Sequence, residues 1–382
     1  MSETAYVGAD AYGLSQQSQP MLDTMWGKEY HNTSTTINVI NGYVENQYVG
    51  VHTSELQANV INTMYAAVTS STYANVSLID NSILRHLHLS GTYYADEPLL
   101  LPSLFVLHLN GSLLDAANLT SSPFNGATTK HPGMITLNQT SYSAVVGGVI
   151  NATVHNKTQM HAISLIFSDH SSVQHVRAVG QWSWGAAITI FGGTKNEVSY
   201  SDTGGDAGRT TLGRGIWALA TSHAYVHHNH VHHAAKHALD FDAYTRSSVC
   251  WSNLCEDNLQ EGIFVEENSH DNVIVDNTCR RNKNGIGVYT LDVGPVKNNM
   301  FFGNTLEDNS MNGITAGGYG HNVTKHSEAN VFFSNNANGN NKGSGGSDGS
   351  AAQFNPMHGA NMGDYWFGNV VGTNEKKFDP IP

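Results

Sequence analysis

Carboxylate side chains recur at matching positions of two short segments in the middle of the chain. Ala-Leu-Asp-Phe-Asp, at 238–242, places Asp240 and Asp242 two positions apart, and Gly-Ile-Phe-Val-Glu, at 262–266, ends in Glu266. Carboxyl groups held about 5 Å apart on neighbouring strands cannot all ionise easily, so the pKa of one of them should rise. One carboxyl then serves as an acid and another as a base. We therefore predict that these three residues are catalytic.

Aromatic residues occupy the corresponding positions of the neighbouring segments. Trp217 comes one segment before Asp240, Phe264 comes one segment after it, and Tyr289 follows Glu266 in the same way. Flat aromatic rings suit the faces of sugar rings. The arrangement predicts a groove in which these three aromatic residues bind substrate beside the carboxylates.

Four further residues near the ends of these segments are assigned to substrate binding, namely Tyr244, Glu267, His237 and Arg246. Instead of binding substrate, Tyr244 could be an aromatic residue packed in a turn, and Glu267 could be a charged residue at the rim of the groove. Arg246, like Arg214, could hold an anionic group, although arginine at such turns more often pairs with local acids. His237 directly precedes the carboxylate segment and is the histidine expected to reach the groove.

We expect no metal and no other cofactor, with Ca²⁺ as the competing use of the carboxylate oxygens. No ligand pair shows the spacing of a zinc site. A dense histidine group is expected to stack between neighbouring turns rather than to hold a metal; its members are His227, His228, His230, His232, His233 and His237. Three cysteines are present, and Cys255 and Cys279 should stack on neighbouring coils as free thiols.

The carboxylate segments belong to a repeat that predicts the fold. Segments starting at Gly215, Ala238, Gly262 and Gly285 follow one another at nearly equal intervals, and each leads to a valine at the same distance. Apolar residues alternate within each segment, which is typical of a strand with one buried face. A fixed period in the low twenties indicates stacked units. The predicted fold is an all-β, single-stranded right-handed parallel β-helix with coils of about 24 residues and an N-terminal helical cap.

Three regions follow from this interpretation. Residues 1–90 form an arm and the helical cap, residues 91–372 form the β-helix, and residues 373–382 form a C-terminal tail. The cap is placed at 54–70, where Ser54 and Gln57 make a capping box ahead of apolar residues at helical spacing. A helix there would cover the open end of the first coil.

Composition limits the classes of partner. The chain has 382 residues, a net charge of −13 and no basic run, which argues against nucleic acid and anionic membranes. No apolar run has the length of a membrane span, and no signal-peptide core is visible. The chain is therefore either cytosolic or a mature form whose leader has been removed. We expect the secreted, extracellular form and a glycoprotein, which is somewhat favoured by Asn-x-Ser/Thr sites, several of which chance alone would give; they begin at Asn32, Asn75, Asn110, Asn118, Asn138, Asn151, Asn156 and Asn322.

Two stretches resemble known families. Gly91-Thr92-Tyr93 and the Leu-Leu-Leu-Pro-Ser segment at 99–103 resemble the opening of pectin-lyase-like β-helix proteins, most of which act on polysaccharides. The segment 241–247 is similar to the Tyr-Asp-Pro-His-Asp-Arg-Ser stretch of mannuronan C5-epimerases, with Ala243 and Tyr244 replacing the Pro and the His. Segments around Asp240 and Glu266 also resemble inulin fructotransferases, whose trimers imply a homo-oligomer here.

Three hypotheses about function remain open. The first is cleavage of a glycosidic bond in an oligo- or polysaccharide by hydrolysis or intramolecular transfer, with Glu266 as proton donor and Asp242 as base or nucleophile. The second is β-elimination or C5-epimerisation of a uronate, with the acids holding Ca²⁺ and Tyr244, His237 or Arg246 near the proton. The third is a non-catalytic β-helix that only binds glycans or serves as a coat element.

Overall fold

A computed structural model gives the structure of the chain. It describes residues 34–40, 43–45, 74–80, 85–94, 99–115, 133–151, 161–180, 185–205, 213–290, 294–318, 327–340, 354–356, 361–362, 364–371 and 376–378. The predicted helical cap at 54–70 lies outside these residues. Within them the secondary structure is β-strand, and no helix of a length and apolarity suited to crossing a membrane is found there.

Parallel strands stack in three faces, and each regular coil contributes one strand to each face. The first face, which carries the acidic segments, consists of ten strands: Leu99–Leu101, Gly133–Asn138, His161–Ile166, Ala186–Phe191, Arg214–Leu219, Leu239–Asp242, Ile263–Glu266, Ile286–Thr290, Ile314–Gly318 and Phe354–Pro356.

The second and third faces are built from shorter strands. The long strand Arg85–Tyr94 takes part in both. The second face continues with Phe105–His108, Ala144–Val146, Ser172–Gln174, Glu197–Ser199, Tyr225–His227, Val249–Trp251, Val273–Val275, Met300–Phe302, Val331–Phe333 and Tyr365–Phe367. The third face continues with Leu113–Asp115, Val149–Asn151, Arg177–Val179, Asp202–Gly204, His230–His232, Leu254–Glu256, Thr278–Arg280, Thr305–Glu307, Asn336–Asn338 and Asn369–Val371.

The remaining strands lie at the ends of the solenoid. Ser34–Ile40 pairs antiparallel with Tyr43–Glu45 and with Ala74–Asp80, and the latter pairs with Arg85–Tyr94. At the other end, Lys376–Phe378 pairs antiparallel with the last third-face strand. A separate two-stranded sheet joins Ser327–Glu328 to Asn361–Met362.

The alternating apolar residues of the repeat fill the interior. Ile216 pairs with Leu239, which pairs with Ile263 and then Ile286, so these coils are nearly equal in length. All four side chains are buried. The predicted parallel β-helix is therefore confirmed, although other coils are longer than the predicted repeat, as in the step from Ile188 to its register partner Ile216.

Asparagine side chains link the coils at the turn between the second and third faces. Asn253 donates through Nδ2 to Oδ1 of Asn277 at 2.9 Å, and Asn277 donates to Asn304 at 3.0 Å. Each also satisfies backbone groups of the adjacent coil, such as the Cys250 carbonyl, which accepts from Asn277 Nδ2 at 3.0 Å. Buried polar groups need such partners, so the ladder holds the coils in register.

The cysteines lie inside the solenoid as free thiols. Cys255 and Cys279 are register partners on the third face, as the repeat predicts, and Cys250 lies on the second face. All three are buried, and burial raises the pKa of Cys250 and Cys255. Thiols held in this neutral form are weak nucleophiles, which favours a packing role.

Candidate functional site

The strand Leu239–Asp242 brings its two carboxylates to the outer side of the first face. Asp240 lies in register between Trp217 and Phe264, as the repeat predicts. One oxygen each from Asp240, Asp242 and Glu266 lies within 4.8 Å of the others. The three predicted catalytic residues therefore form one cluster, which we call the carboxylate cluster.

The carboxylate cluster is buried, although its residues point away from the solenoid interior. Asp240 is 0%, Asp242 7% and Glu266 6% exposed. The sequence predicted a groove in which these carboxylates meet substrate. Burial makes the charged state of each carboxyl more costly. Because the three side chains are covered, a sugar can reach their oxygens only if a covering side chain moves.

Arg214 supplies positive charge to the carboxylate cluster. Its Nε donates a hydrogen bond to Oδ2 of Asp240, and its guanidinium carbon lies 4.3 Å from the ring centre of Trp217. Burial alone would lower the pKa of Arg214, but the Asp240 carboxylate raises it. The pairing with a local acid, one of the two alternatives for this arginine, is the one observed.

Different environments separate the acidities of the two other carboxyls. Burial, followed by the charge of Asp240, raises the pKa of Asp242 to about 7, and Nε1 of Trp217 opposes this by donating to Asp242 Oδ2 at 3.0 Å. Burial, followed by the charges of Asp240 and Asp242, raises the pKa of Glu266 further above its ordinary value. Burial thus favours the neutral form of both carboxyls, and of Glu266 more strongly.

Two oxygens in the carboxylate cluster are buried without a hydrogen-bond partner among the described residues. They are Oδ1 of Asp240 and Oδ1 of Asp242. Buried acceptors of this kind are rare in folded proteins and are costly when left unsatisfied. A proton, a sugar hydroxyl or a cation such as Ca²⁺ would satisfy both, and carboxylate oxygens are the ligands that Ca²⁺ prefers.

The aromatic residues pack against each other at one side of the carboxylate cluster. The Phe264 ring stacks on His237 at 4.1 Å between ring centres, and Tyr289 lies 5.3 Å from Phe264. Phe264 is 6% and Tyr289 4% exposed, so neither ring offers an open face to a sugar. Nδ1 of His237 lies 2.8 Å from Oε2 of Glu261.

The other predicted binding residues lie at the ends of the acidic strands. Tyr244 occupies a turn with a positive φ of 72° and an exposed side chain, and its N–H donates to the Glu267 carbonyl at 3.0 Å. The Glu267 charge helps to raise the pKa of Glu266. Arg246 has an exposed side chain at the corner leading to the second face. Glu267 is thus electrostatically part of the site.

Two polar neighbours of the carboxylate cluster were missed from the sequence. Lys236 is half-buried, and its pKa is lowered first by burial and then by the positive charge of Arg214. Glu261 receives a hydrogen bond from Asn284 Nδ2 at 2.9 Å beside its contact with His237. Both lie in return loops that directly precede first-face strands. Because charged residues are scarce in this chain, a charge at such a position could have indicated them from the sequence.

Comparison with known proteins supports the fold. The family described as "Right handed beta helix region" matches residues 161–337. No curated protein shows a significant sequence match.

Three solved structures show the same architecture. The endo-xylogalacturonan hydrolase from Aspergillus tubingensis has a TM-score of 0.60 at 14% identity, covering 75% of this chain and 84% of that one. The Dettilon tailspike protein has a TM-score of 0.54 at 13% identity, covering 73% of this chain and 54% of that one. This chain therefore spans about half of the tailspike's length. The A-module of a mannuronan C-5 epimerase from Azotobacter vinelandii has a TM-score of 0.51 at 11% identity, covering 75% of this chain and 83% of that one.

Identities this low establish the fold alone. The sequence prediction is confirmed at that level, and the finer resemblances to epimerases and fructotransferases stay predictions. The chain has the right-handed parallel β-helix fold.

Proposed function

We propose that the protein is an enzyme that cleaves a glycosidic bond in an oligo- or polysaccharide, by hydrolysis or intramolecular transfer. The observation that carries the proposal is the carboxylate cluster, in which three acids lie within 4.8 Å on the outer side of one face. Glycosidic cleavage requires two carboxyl groups of different acidity. The separated pKa values of Asp242 and Glu266 meet this requirement.

The environments of the acids suggest a role for each. Glu266, whose raised pKa keeps it protonated, donates the proton to the leaving oxygen. Asp242 acts in its ionised form as nucleophile or base, since its pKa of about 7 leaves part of it charged at neutral pH. Asp240, paired with Arg214, provides fixed charge next to the reacting carbon. General acid catalysis typically contributes about 10²- to 10⁴-fold to the rate.

The spacing favours retention of anomeric configuration. Carboxyl groups about 5–5.5 Å apart suit a nucleophile and an acid/base, whereas inverting pairs are about 6.5–9.5 Å apart to leave room for water. One oxygen from each of the three carboxyls lies within 4.8 Å of one oxygen from each of the other two. A covalent glycosyl intermediate would allow either water or a second hydroxyl of the same chain to accept the sugar, which accommodates both hydrolysis and transfer.

The named activities of similar folds agree with a glycan substrate. A xylogalacturonan hydrolase and a mannuronan epimerase, judged by their names, act on polysaccharides. Since such polymers are found outside the cell, the proposal includes an extracellular location. The net charge of −13 would repel a polyanionic substrate at long range.

A second candidate is elimination or epimerisation of a uronate. The partly buried Arg214 and the nearby Lys236 favour it, because they bring positive charge to the carboxylate cluster. The unpartnered oxygens of Asp240 and Asp242 also fit Ca²⁺. In this case Ca²⁺ would neutralise the uronate carboxylate. This chemistry would use Tyr244 or Arg246 near the proton, but both side chains are exposed at corners of the solenoid. The acid pair therefore supports glycosidic cleavage more strongly than these two residues support elimination or epimerisation.

A substrate panel separates the candidates. Purified protein is incubated with fructans, uronans and neutral glucans, and the products are analysed by NMR and by ultraviolet absorbance near the unsaturated-uronate band. We expect new reducing ends or cyclic transfer products, no unsaturated product, and activity that survives EDTA. Unsaturated or epimerised products that require Ca²⁺ would establish the second candidate instead. Binding to a glycan with no product after prolonged incubation would support a binding-only β-helix.

A further inference from the structure

A second polar cluster lies on the third face, away from the carboxylates. It involves the adjacent strands Asp202–Gly204 and His230–His232. We propose that Asp202, His230 and His232 bind a divalent first-row transition metal ion of the Zn²⁺ type. Two imidazoles and one carboxylate are a donor set that suits such ions.

The register of the two strands brings the three side chains together. Asp202 pairs with His230, and His232 lies two positions further on the same side of its strand. Nε2 of His232 is 2.9 Å from Oδ1 of Asp202, and Nδ1 of His230 is 3.9 Å from Oδ2 of Asp202. One ligand atom from each residue lies within 4.8 Å of the others. A small inward rotation of the rings would place all three atoms around one ion.

A carboxylate behind the site orients His230. Its Nε2 lies 2.9 Å from Oε1 of Glu256, on the next coil. With the ring proton on Nε2 and donated to Glu256, the lone pair of Nδ1 faces Asp202. Glu256 is held in turn by Arg280 Nε at 2.7 Å and Arg281 Nη2 at 2.6 Å. Metal-binding histidines commonly have such a carboxylate on the second nitrogen, where it fixes the tautomer and strengthens the ligand.

The strand beneath His232 leaves room for its ring. Gly204 is the register partner of His232, and a Cβ at Gly204 would lie 2.3 Å from the His232 carbonyl oxygen and 2.7 Å from Nδ1 of its imidazole. Both distances are too short for real contacts, so any larger residue there would displace the backbone and the ring of His232. The glycine thus allows His232 to lie across the neighbouring strand, towards Asp202.

The site is accessible to ions in solution. The side chain of Asp202 is 42%, that of His230 39% and that of His232 16% exposed. Three protein ligands leave a coordination position for water. The sequence predicted only stacking for these histidines, and the rings of His230 and His232 do lie 4.5 Å apart. The carboxylate from the preceding coil was not foreseen, because the interval from Asp202 to its register partner His230 is longer than the regular repeat.

Metal binding to the full chain tests the proposal. Protein stripped with EDTA is titrated with Zn²⁺ in competition with a chromophoric chelator, and the number of tight sites is compared with that of Asp202→Asn and His232→Asn. We expect each variant to lose one equivalent. Glu256→Gln should retain the site with about 10- to 100-fold lower affinity. Equal Zn²⁺ binding by the wild type and both ligand variants would overturn the proposal.

Two controls make the result specific. His223→Asn replaces an exposed histidine with a positive φ of 52°, which asparagine tolerates, and should leave the count unchanged. A separate group of His86, His88 and His108 also brings ligand atoms within 4.8 Å, but it is intact in every variant and so does not affect the difference. Anomalous diffraction at the zinc edge should place an ion between Asp202 and His232; an ion located only at the other histidines would contradict the proposal.

Discussion

Nε1 of Trp217 lies 3.0 Å from Oδ2 of Asp242 and donates a hydrogen bond to it between adjacent coils. This bond is one of the interactions that oppose the loss of charge on a carboxyl that is 7% exposed. The tryptophan predicted to stack on a sugar is thus also a hydrogen-bond donor within the site. It stabilises the ionised form of the proposed nucleophile.

Replacing this tryptophan should shift the pH dependence of activity. In Trp217→Phe the carboxylate loses a donor, so the pKa of Asp242 rises, and Asp242 must be ionised to act as nucleophile. The acidic limb of kcat/KM should move up by about one pH unit, the scale of one hydrogen bond to a charged group. The measurement is kcat/KM from pH 4 to 9 on the substrate found in the panel. Trp251→Phe, on the second face, is the matched control and should leave the limb in place.

The ion pair between Arg214 and Asp240 should contribute to stability. Arg214→Met leaves the carboxylate of Asp240, which is 0% exposed, without its cation. Breaking a buried pair from one side costs about 3–5 kcal/mol. Urea denaturation should show this loss, and the double variant Arg214→Met/Asp240→Asn should recover most of it. A double variant as unstable as Arg214→Met would mean that the loss comes from packing on Trp217 and not from charge.

Glu266 should make the fold less stable as pH rises. Its pKa is raised in the folded state, so above the ordinary pKa of a glutamate the folded protein binds more protons than the unfolded chain. The free energy of unfolding then falls with rising pH, by up to about 1.4 kcal/mol per unit. Glu266→Gln should therefore be more stable than the wild type, by a margin that grows from pH 5 to pH 8. Denaturation curves at several pH values give this margin, and a constant margin would show that Glu266 is not shifted.

The asparagine ladder should be sensitive to truncation at its centre. Asn277→Ala removes the acceptor of Asn253 and the donors to Asn304 and to the Cys250 carbonyl. Each buried group left unsatisfied costs about 1–3 kcal/mol. Thermal unfolding should show a clear drop in midpoint for Asn277→Ala. The matched change Asn336→Ala, at an exposed third-face position, should stay within about 0.5 kcal/mol of the wild type.

The sequence predicted what depends on a fixed period. Alternating apolar residues and the recurring valine determine the register, so the position of Asp240 between Trp217 and Phe264 followed from counting residues. The stacking of Cys255 on Cys279 followed for the same reason. Side chains that share a register position in consecutive repeats must be neighbours in a solenoid.

Features that depend on return loops could not be counted in this way. The contact between His237 and Glu261 joins two loops outside the repeated segments, and the repeat assigns no direction to their side chains. The repeat also does not determine the path of the Arg214 side chain, whose guanidinium lies over the Trp217 ring. The pairing of Arg214 with Asp240, given only as a general tendency of arginines at turns, likewise needed the structure.

The most direct test of the acid–base proposal is the cleavage rate of Asp242→Asn and Glu266→Gln, measured as release of reducing ends or transfer products from the best substrate of the panel. Circular dichroism and thermal unfolding would first establish that both variants retain the β-helix. We predict that each variant loses about 10²- to 10⁴-fold in kcat. Rates within a few-fold of the wild type in both folded variants would contradict the assignment of the chemistry to the carboxylate cluster.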